Sequence, residues 1–346
     1  MGYPKSTCRN SRTISKPALF LNPRVSGIFV ERLMVFLYIE YKAMEKYDVV
    51  VVGGSCAGAA AGVTLAKAGR KTLLVDKAIF PRPKLCGGMI TDKTFRLLKE
   101  VYGVDFDRLI DSRYDAFEVH HAPLGKVSGY RDPSHVLYMI HRDEFDHAFL
   151  KEAEKAGCTL LLGDKVIGVP GDGVVTDSGR KIGADYIIGA DGPYSVVRKA
   201  RWPDNGRRKT VVVALEVEVP YEALKCFEKR GTAIPQIHFG FLDQGYGWVF
   251  PKMDFSVVGI AGVLPPGVRN IREVFLAFLE SLCGDITPIL SRIKGFPVPV
   301  HNFVKQPGCG KILLAGDADG LVDPLTGEVI YFGALSGFLA ARTILG

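Results

Sequence analysis

The chain has 346 residues, of which 47% are hydrophobic. This is enough apolar material for one broad domain or two closely packed ones, and it excludes a disordered chain. The formal net charge of +7 lies mostly at the N terminus, because residues 1–43 carry +5 and the remainder only +2, so the basic balance does not indicate nucleic-acid binding.

The N-terminal segment 1–43 looks foreign to the domain that follows, because Met44 reads as a natural start just before the first strand. We expect this leader to be an upstream translation artefact or a disordered arm. Its most apolar run, Ile28–Ile39, contains two charges and is too short to span a bilayer. The seven cysteines are scattered singly, which argues against a disulfide framework or a zinc site. A cytoplasmic protein fits best, and peripheral membrane contact stays open.

The first recognisable unit runs from Lys46 to Asp76. An apolar run meets a glycine-rich turn, an alanine-rich helix follows, and a second apolar run ends in Asp76. This is the pattern that holds a dinucleotide's pyrophosphate at a helix N terminus, with the acid placed to accept from a ribose hydroxyl. The middle glycine of the fingerprint is replaced by Ser55, which is small enough to fit and able to donate a hydrogen bond.

A loop rich in proline and glycine, Phe80–Met89, follows the unit. Its paired glycines, Gly87 and Gly88, let the backbone come close to a flat ligand. Cys86 is either a small buried filler or a residue that faces a flavin or substrate. The next segment, Thr91–Tyr102, is predicted to be a helix capped by Thr91 or Asp92.

The segment Tyr114–Tyr138 alternates and turns, which predicts a β excursion inserted between the halves of the nucleotide domain. The pattern returns to a helix from Arg142, with Gly157 at its end. Five histidines lie near this region, but their spacing does not match a zinc site. They are His120, His121, His135, His141 and His147.

A buried strand then runs into Gly189-Ala190-Asp191-Gly192 and a short helix carrying Ser195 and Arg198, which forms a second phosphate-side element. Residues 210–263 are rich in β pattern without intervening helices, which predicts an antiparallel substrate domain. Within it, Tyr246, Trp248 and Phe250 alternate on one face of a strand. They form either an aromatic core face or the apolar wall of a ligand cavity.

The C-terminal part begins with a predicted helix, Arg272–Leu282. A third strand-to-acid element, Lys311–Gly320, precedes a glycine-containing loop and a helix predicted from about Val329 to Leu345. The start of that helix offers backbone N–H groups to an electron-rich atom. Three such elements exceed what a plain NAD dehydrogenase domain contains.

These motifs resemble those of the FAD-dependent oxidoreductases of the para-hydroxybenzoate hydroxylase type and, within them, the geranylgeranyl reductase family. The superfamily resemblance rests on Gly53–Gly58, Gly189–Gly192 and Gly316-Asp317. Narrower family marks are Lys84–Gly88 and the run from Gly316 to Glu328. The aromatic strand, with Pro251 after its third aromatic residue, is another. This chain departs from the family pattern at Ser55 and at Val329, where the family often has glycine.

The resemblance implies a role for each matching position. Cys86 and Tyr246 are the candidate catalytic residues, as proton donors, and Tyr246, Trp248 and Phe250 would contact substrate. The expected FAD-binding residues are Gly53, Gly54, Ser55, Gly58, Asp76, Gly87, Gly88, Arg142, Asp191, Gly192, Gly316, Asp317 and Gly327. No metal is expected.

The implied fold is α/β with α+β character, in which a Rossmann-like FAD-binding domain carries an inserted antiparallel-sheet substrate domain. The FAD-binding domain is expected to comprise residues 44–112, 140–200 and 305–346. The β-rich substrate domain is expected to comprise residues 113–139 and 201–304.

The implied activity is reduction of C=C bonds in an isoprenoid chain, by hydride transfer from flavin N5 plus protonation, with NADPH or ferredoxin as electron donor. The expected partner is a polyprenyl lipid, a quinone or a related prenylated small molecule. Two alternatives stay open, because the same cofactor motifs serve FAD-dependent aromatic monooxygenases and halogenases, and a related fold serves as a non-catalytic prenyl-binding carrier.

Overall fold

A computed structural model describes residues 45–103, 106–202, 211–225, 233–263, 270–299, 303–323 and 326–346. The predicted leader at 1–43 lies outside the described residues, as do two residues of the third motif, Pro324 and Leu325.

The helices and strands follow the predicted order closely. The helices are α1 (Cys56–Lys67), α2 (Asp92–Tyr102), α3 (Arg142–Lys155), α4 (Val196–Arg201), α5 (Ile271–Leu282) and α6 (Ile330–Leu345). The strands are β1 (Glu45–Val52), β2 (Thr72–Asp76), β3 (Met89–Thr91), β4 (Ile110–Tyr114), β5 (Ala116–His121), β6 (Gly125–Arg131), β7 (Leu137–Ile140), β8 (Thr159–Leu162), β9 (Val166–Gly168), β10 (Gly173–Thr176), β11 (Lys181–Gly189), β12 (Val211–Pro220), β13 (Gln236–Phe239), β14 (Gln244–Pro251), β15 (Phe255–Val263), β16 (Lys294–Pro299), β17 (Gly308–Cys309) and β18 (Ile312–Leu314).

The first sheet is organised around β1, in the order β17-β18-β11-β1-β2-β8, with β10 beside β11 and β9 beside β10. The strands from β18 to β8 run parallel. Val49 and Val51 face the cluster formed with α1, α3 and α6, whereas Val50 and Val52 face a second cluster with β9–β11. Burial on both faces explains why β1 is a continuous run of valines rather than an alternating strand.

The second sheet has the order β16-β12-β15-β14-β13-β5-β6. One face packs on α5, where Phe275, Phe278 and Leu279 are fully buried. The sheet is antiparallel except that β13 pairs with β5 in parallel. The antiparallel arrangement predicted for residues 210–263 is found between β12, β13, β14 and β15. The parallel pair adds β5 from a distant segment, whose direction no hairpin fixes.

A third sheet has three strands in the order β3-β7-β4. Its strands β4 and β7 are the two ends of the β excursion, and β3 follows the Cys86–Gly88 loop directly. The sheet therefore connects that loop to the β-rich part of the chain. The sequence pattern did not predict it, since each strand is only three to five residues long.

The helix ends agree with their sequence signals. Thr91 caps α2, because its Oγ1 accepts from the Thr94 amide at 3.3 Å, as predicted. Gly69 follows α1 with a φ of 76°, a conformation that suits the end of a helix. Val329 precedes α6 with a φ of −113°, so the position does not need the glycine that the family often has there.

Most of the described cysteines are free, but one is held in a disulfide, which the single spacing of the cysteines did not predict. Cys56, Cys86, Cys158 and Cys283 are free thiols, whereas Cys309 is held in a disulfide. Within the described ranges, no group of three or more His, Cys, Asp or Glu residues is arranged to hold a metal ion. Among the helices described, none is long and apolar enough to cross a membrane.

Candidate functional site

The glycine turn after β1 lies very close to two other backbone segments, the start of α1 and the turn after β11. A Cβ atom at Gly58 would lie 1.7 Å from the Gly53 carbonyl oxygen, and one at Gly53 would lie 2.2 Å from the Ala190 carbonyl oxygen. Gly53 also has a φ of 105°, which disfavours any side chain. The Ala190 amide donates to the Val52 carbonyl at 2.7 Å. The fold therefore brings the first and second motifs into direct contact, at the start of α1.

Ser55, the replacement for the middle glycine, joins the turn to α3. Its Oγ donates to Asp146 Oδ2 at 2.9 Å and accepts from Arg142 Nη2 and from Lys84 Nζ, each at 3.2 Å. The Ser55 backbone is extended, so the position does not require glycine for conformation. The predicted hydrogen-bonding capacity is thus used within the protein, between segments 91 residues apart.

Arg142 and Asp146 form a buried ion pair one turn apart on α3. Their side chains are 4% and 0% exposed, and Nε and Nη2 of Arg142 lie 2.9–3.0 Å from the carboxylate oxygens. Burial alone would raise the pKa of Asp146, but Arg142, Lys84 and Arg82 outweigh it and hold that pKa below its ordinary value.

The positive charge around Asp146 is larger than the single negative charge of its carboxylate. Arg142, Lys84 and Arg82 all act on it, and Arg82 Nη2 lies 3.8 Å from Asp146 Oδ2. This positive surplus lies beside Ser55, at the N terminus of α1, where the helix dipole also favours an anion. Together these features fit the pyrophosphate of a dinucleotide.

Asp76, at the end of β2, anchors two backbone segments. Its Oδ2 accepts from the Gly54 amide at 2.6 Å, and its Oδ1 accepts from the Ala78 amide at 2.8 Å. The side chain is buried, with 8% exposure. Its contact with a ribose hydroxyl stays a prediction, and its direct role in the fold is to hold the glycine turn against β2.

Asp191 is engaged with the start of α4. Its carboxylate accepts from Ser195 Oγ at 2.5 Å and from the Val196 amide at 2.7 Å. Burial raises the pKa of Asp191 above its ordinary value. Gly192 follows with a φ of 81°. Both oxygens of the Asp191 carboxylate therefore bind the start of α4. The contact of Asp191 and Gly192 with the cofactor stays a prediction.

The third motif places an unpartnered acid beside α1. Gly316 has a φ of 59°, and a Cβ atom there would lie 3.0 Å from the Ala57 Cβ. The next residue, Asp317, has a buried Oδ1 without a hydrogen-bond partner in the described part of the chain. An orphaned buried acceptor is costly unless a ligand hydroxyl satisfies it. The Asp317 carboxylate therefore fits the ribityl chain of FAD.

The starts of α6 and α1 lie side by side. A Cβ atom at Gly337 would lie 2.0 Å from the Ala57 carbonyl oxygen, so α6 approaches α1 with backbone against backbone. The small residues of both helices permit this contact. As a result, the third motif lies next to the first, although almost the whole chain separates them.

The Cys86–Gly88 loop lies on the aromatic strand. A Cβ atom at Gly87 would meet the Phe250 ring at 2.7 Å and Trp248 Nε1 at 3.0 Å. Gly88 has a φ of 75°, and a Cβ atom there would lie 2.4 Å from the Ile140 carbonyl oxygen. Both glycines are thus required by space. Cys86, which precedes them, packs its side chain against the cluster formed with α1 and α3 and interacts with Arg142.

Tyr246, Trp248 and Phe250 form one continuous aromatic column on β14, with successive ring centroids 6.1 Å apart. Tyr246 Oη donates to the Thr326 carbonyl at 2.5 Å, and a Cβ atom at Gly327 would lie 2.9 Å from that hydroxyl. The column therefore links the third motif to the Cys86 loop.

Tyr246 is a poor proton donor in this arrangement. Burial, followed by Cys86 and Asp323, raises the pKa of Tyr246 to about 12. Its proton is held in the hydrogen bond to Thr326. The catalytic roles of Cys86 and Tyr246 stay predictions, and the observed role of the Tyr246 hydroxyl is to anchor the loop at Thr326.

The sequence patterns did not identify two charged residues that lie near the aromatic column. Glu216 Oε1 accepts from the Cys86 amide at 3.0 Å, and burial raises the pKa of Glu216 to about 7. Lys252 is 5% exposed and donates from Nζ to the Ile140 carbonyl at 2.8 Å. Burial lowers the pKa of Lys252. The available signal was strand alternation, since Lys252 continues the face of Tyr246, Trp248 and Phe250.

Replacing Glu216 by glutamine is expected to stabilise the protein in alkaline solution. The pKa of Glu216 in the fold is about 7, against an ordinary 4.5, so the folded state binds this proton more tightly than the unfolded state. Stability therefore falls as the pH rises from 4.5 through 7. Urea denaturation measures the free energy of unfolding of the variant and of the parent protein. From pH 5 to pH 8, the value for Glu216→Gln minus the value for the parent should rise by about 2–3 kcal/mol. An equal difference at both pH values would contradict the assignment.

The chain matches the model of the FAD binding domain family over residues 46–242. It is 31% identical over 311 residues to an uncharacterised protein of Methanosarcina barkeri, covering 87% of this chain and 75% of that one. It is 28% identical over 317 residues to the geranylgeranyl diphosphate reductase of Rhodobacter capsulatus, again covering 87% and 75%.

A solved structure shares the fold. The geranylgeranyl bacteriochlorophyll reductase-like protein of Thermoplasma acidophilum superposes with a TM-score of 0.74 at 24% identity. The match covers 87% of this chain and 78% of that protein.

Proposed function

Because the chain belongs to the FAD-binding oxidoreductases that include the geranylgeranyl reductases, we propose that it reduces C=C bonds of an isoprenoid chain carried by a lipid or a related prenyl compound. The observation that carries the proposal is the packing of the Cys86–Gly88 loop on the column of Tyr246, Trp248 and Phe250. That contact joins a close-approach glycine loop to an apolar wall suited to a long hydrocarbon chain.

FAD, when bound, would supply the hydride for the reduction. In the proposal, the glycine turn with Ser55 and Arg142 holds its pyrophosphate end, and Asp317 accepts from its ribityl hydroxyls. The starts of α1 and α6 present N–H groups that favour negative charge on the bound cofactor.

The aromatic column would hold the isoprenoid chain and exclude water from the reacting bond. Trp248 and Phe250 are 7% exposed each, and they pack with Met139 and Ala214 in one apolar cluster. An isolated alkene offers no polar group for recognition, so positioning depends on shape and apolar contact. Cys86 would protonate the second carbon.

The proposed electron donor is NADPH or a ferredoxin, and the proposed location is the cytoplasm with peripheral contact to a membrane. A polyprenyl substrate supports such contact, because most of it partitions into lipid.

The test is anaerobic incubation of the FAD-loaded protein with geranylgeranyl compounds and either NADPH or reduced ferredoxin, followed by mass spectrometry. Each saturated bond should add the mass of two hydrogens. Phe250→Ala should weaken the reaction by opening the wall, whereas Tyr130→Ala, at an exposed tyrosine on β6, provides the matched control. Unchanged isoprenoids with a redox-active flavoprotein would contradict the proposal.

The same preparation tests the two alternatives. Oxygen-dependent hydroxylation or halogenation of an aromatic compound would instead favour the monooxygenase or halogenase. A colourless protein that does not bind added FAD would favour the prenyl-binding carrier.

A further inference from the structure

Glu216 lies on the face of the second sheet that carries the aromatic column. The strand register pairs Glu216 with Gly259, and Gly259 in turn with Trp248. Gly259 has no side chain, and Trp248 Cζ2 lies 2.1 Å from the position that its Cβ would occupy. The indole therefore reaches across β15 towards Glu216, and the two residues share one row of the wall.

The Glu216 carboxyl has one engaged oxygen and one unpartnered oxygen. Oε1 accepts from the Cys86 amide at 3.0 Å, across 130 residues of sequence. Oε2 is buried and has no hydrogen-bond partner among the described residues. A buried carboxylate oxygen without a partner is costly, and a proton on it removes the charge.

We propose that Glu216 holds the proton consumed by the reduction and supplies it through Cys86, whose main chain it binds. This inference rests on the proposed function. Each saturated bond takes a hydride at one carbon, and at the other a C–H bond forms as the S–H bond of Cys86 breaks. The O–H bond of Glu216 then breaks to restore the thiol, and the carboxylate regains a proton from solvent.

The charged groups around Glu216 suit a proton that leaves and returns. Burial raises the pKa of Glu216 to about 7. Lys252, which follows β14, and Lys294, from β16, favour the carboxylate, whereas Glu218, from the same strand as Glu216, disfavours it. Both protonation states of Glu216 are therefore populated near neutral pH, which is the condition for efficient general acid catalysis.

The test compares Glu216→Gln with Glu222→Gln in the FAD-loaded full chain. Glutamine at position 216 keeps an oxygen acceptor for the Cys86 amide but cannot store the proton. Glu222 follows β12 and is exposed. The rate of alkene saturation should fall by about 100-fold in Glu216→Gln, with KM unchanged, and stay within about 2-fold in Glu222→Gln.

A second readout does not depend on turnover. The rate of Cys86 alkylation by iodoacetamide is followed by peptide mass spectrometry at pH 6 and pH 8. At pH 8 the parent protein carries a negative charge on Glu216 that Glu216→Gln lacks, so the variant should react about 3- to 10-fold faster. Arg142 and Lys252 also act on Cys86, but they are common to both proteins. At pH 6, where Glu216 is largely protonated, the two rates should agree. A merely structural role would not produce this dependence on pH.

Equal saturation rates for Glu216→Gln and the parent would overturn the inference, and so would an alkylation ratio that does not change with pH. A folded Glu216→Gln protein is recognised by its unchanged FAD absorbance. If the parent protein saturates no isoprenoid, the proposed function fails. The ratio of the alkylation rates of Glu216→Gln and the parent then still tests the coupling of Glu216 to Cys86. A ratio that rises between pH 6 and pH 8 supports this coupling, and a constant ratio overturns it.

Discussion

Replacing Asp146 by alanine is expected to destabilise the protein by about 3–5 kcal/mol, the range for breaking one side of a buried ion pair. Arg142 would be left 4% exposed with an uncompensated charge. It would also lose all three contacts of 3.0 Å or less to the carboxylate. The hydrogen bond to Ser55 cannot offset this loss, because a hydroxyl carries no opposing charge. Urea denaturation without added FAD measures the effect without a contribution from ligand binding.

The matched control is Glu154→Ala on the same helix. Glu154 pairs with Lys151, but the two side chains are 50% and 53% exposed, so this substitution should cost less than about 1 kcal/mol. The pH dependence adds a second check. The folded pKa of Asp146 is below its ordinary value, so its contribution is present at neutral pH and is lost as the pH falls through that folded pKa. Similar losses for the two variants would show that Arg142 is hydrated in solution.

Replacing Gly58 by alanine is expected to lower FAD affinity by at least about 100-fold, which corresponds to about 2.7 kcal/mol. The added Cβ would lie 1.7 Å from the Gly53 carbonyl oxygen, and that atom belongs to the backbone, so the turn itself must move. The start of α1 would then shift away from Arg142 and from the third motif. Quenching of flavin fluorescence on titration with FAD measures the affinity.

Gly62→Ala is the control for this substitution. Gly62 lies one turn further along α1, and a Cβ atom there would have its nearest neighbour at 3.4 Å, an ordinary van der Waals distance. FAD affinity should therefore change little in this variant. An unchanged affinity in Gly58→Ala would mean that the cofactor does not use the turn, and it would remove the main support for the dinucleotide assignment.

Local patterns predicted the secondary structure well because their causes are local. Thr91 caps α2, the predicted helix at Arg142 begins there, and alternation placed the aromatic column on one face of β14. Each depends on the residue itself or on neighbours within one turn or one strand step. The family resemblance likewise depended on short contiguous motifs.

The candidate site was only partly predictable because its contacts cross the fold. Glu216 lies in a strand of valines, and its charge gives no indication that one oxygen would bind the Cys86 amide. Asp76 and Asp191 were correctly noted as acids at strand ends, but their present hydrogen bonds go to backbone and helix cap. Such partners depend on which segments pack together, and a one-dimensional pattern does not contain that information.

The sequence by itself determined the three strand-to-glycine elements, their order and the FAD-dependent oxidoreductase family, because tight turns and close helix packing admit few residue types. Only the tertiary structure decided that Ser55 would bind Asp146, that β5 would pair with β13 in parallel, and that the Cys86 loop would contact both Glu216 and the aromatic column. These contacts join segments that are distant in sequence. They depend on which buried surfaces and which charges fit together in the folded protein.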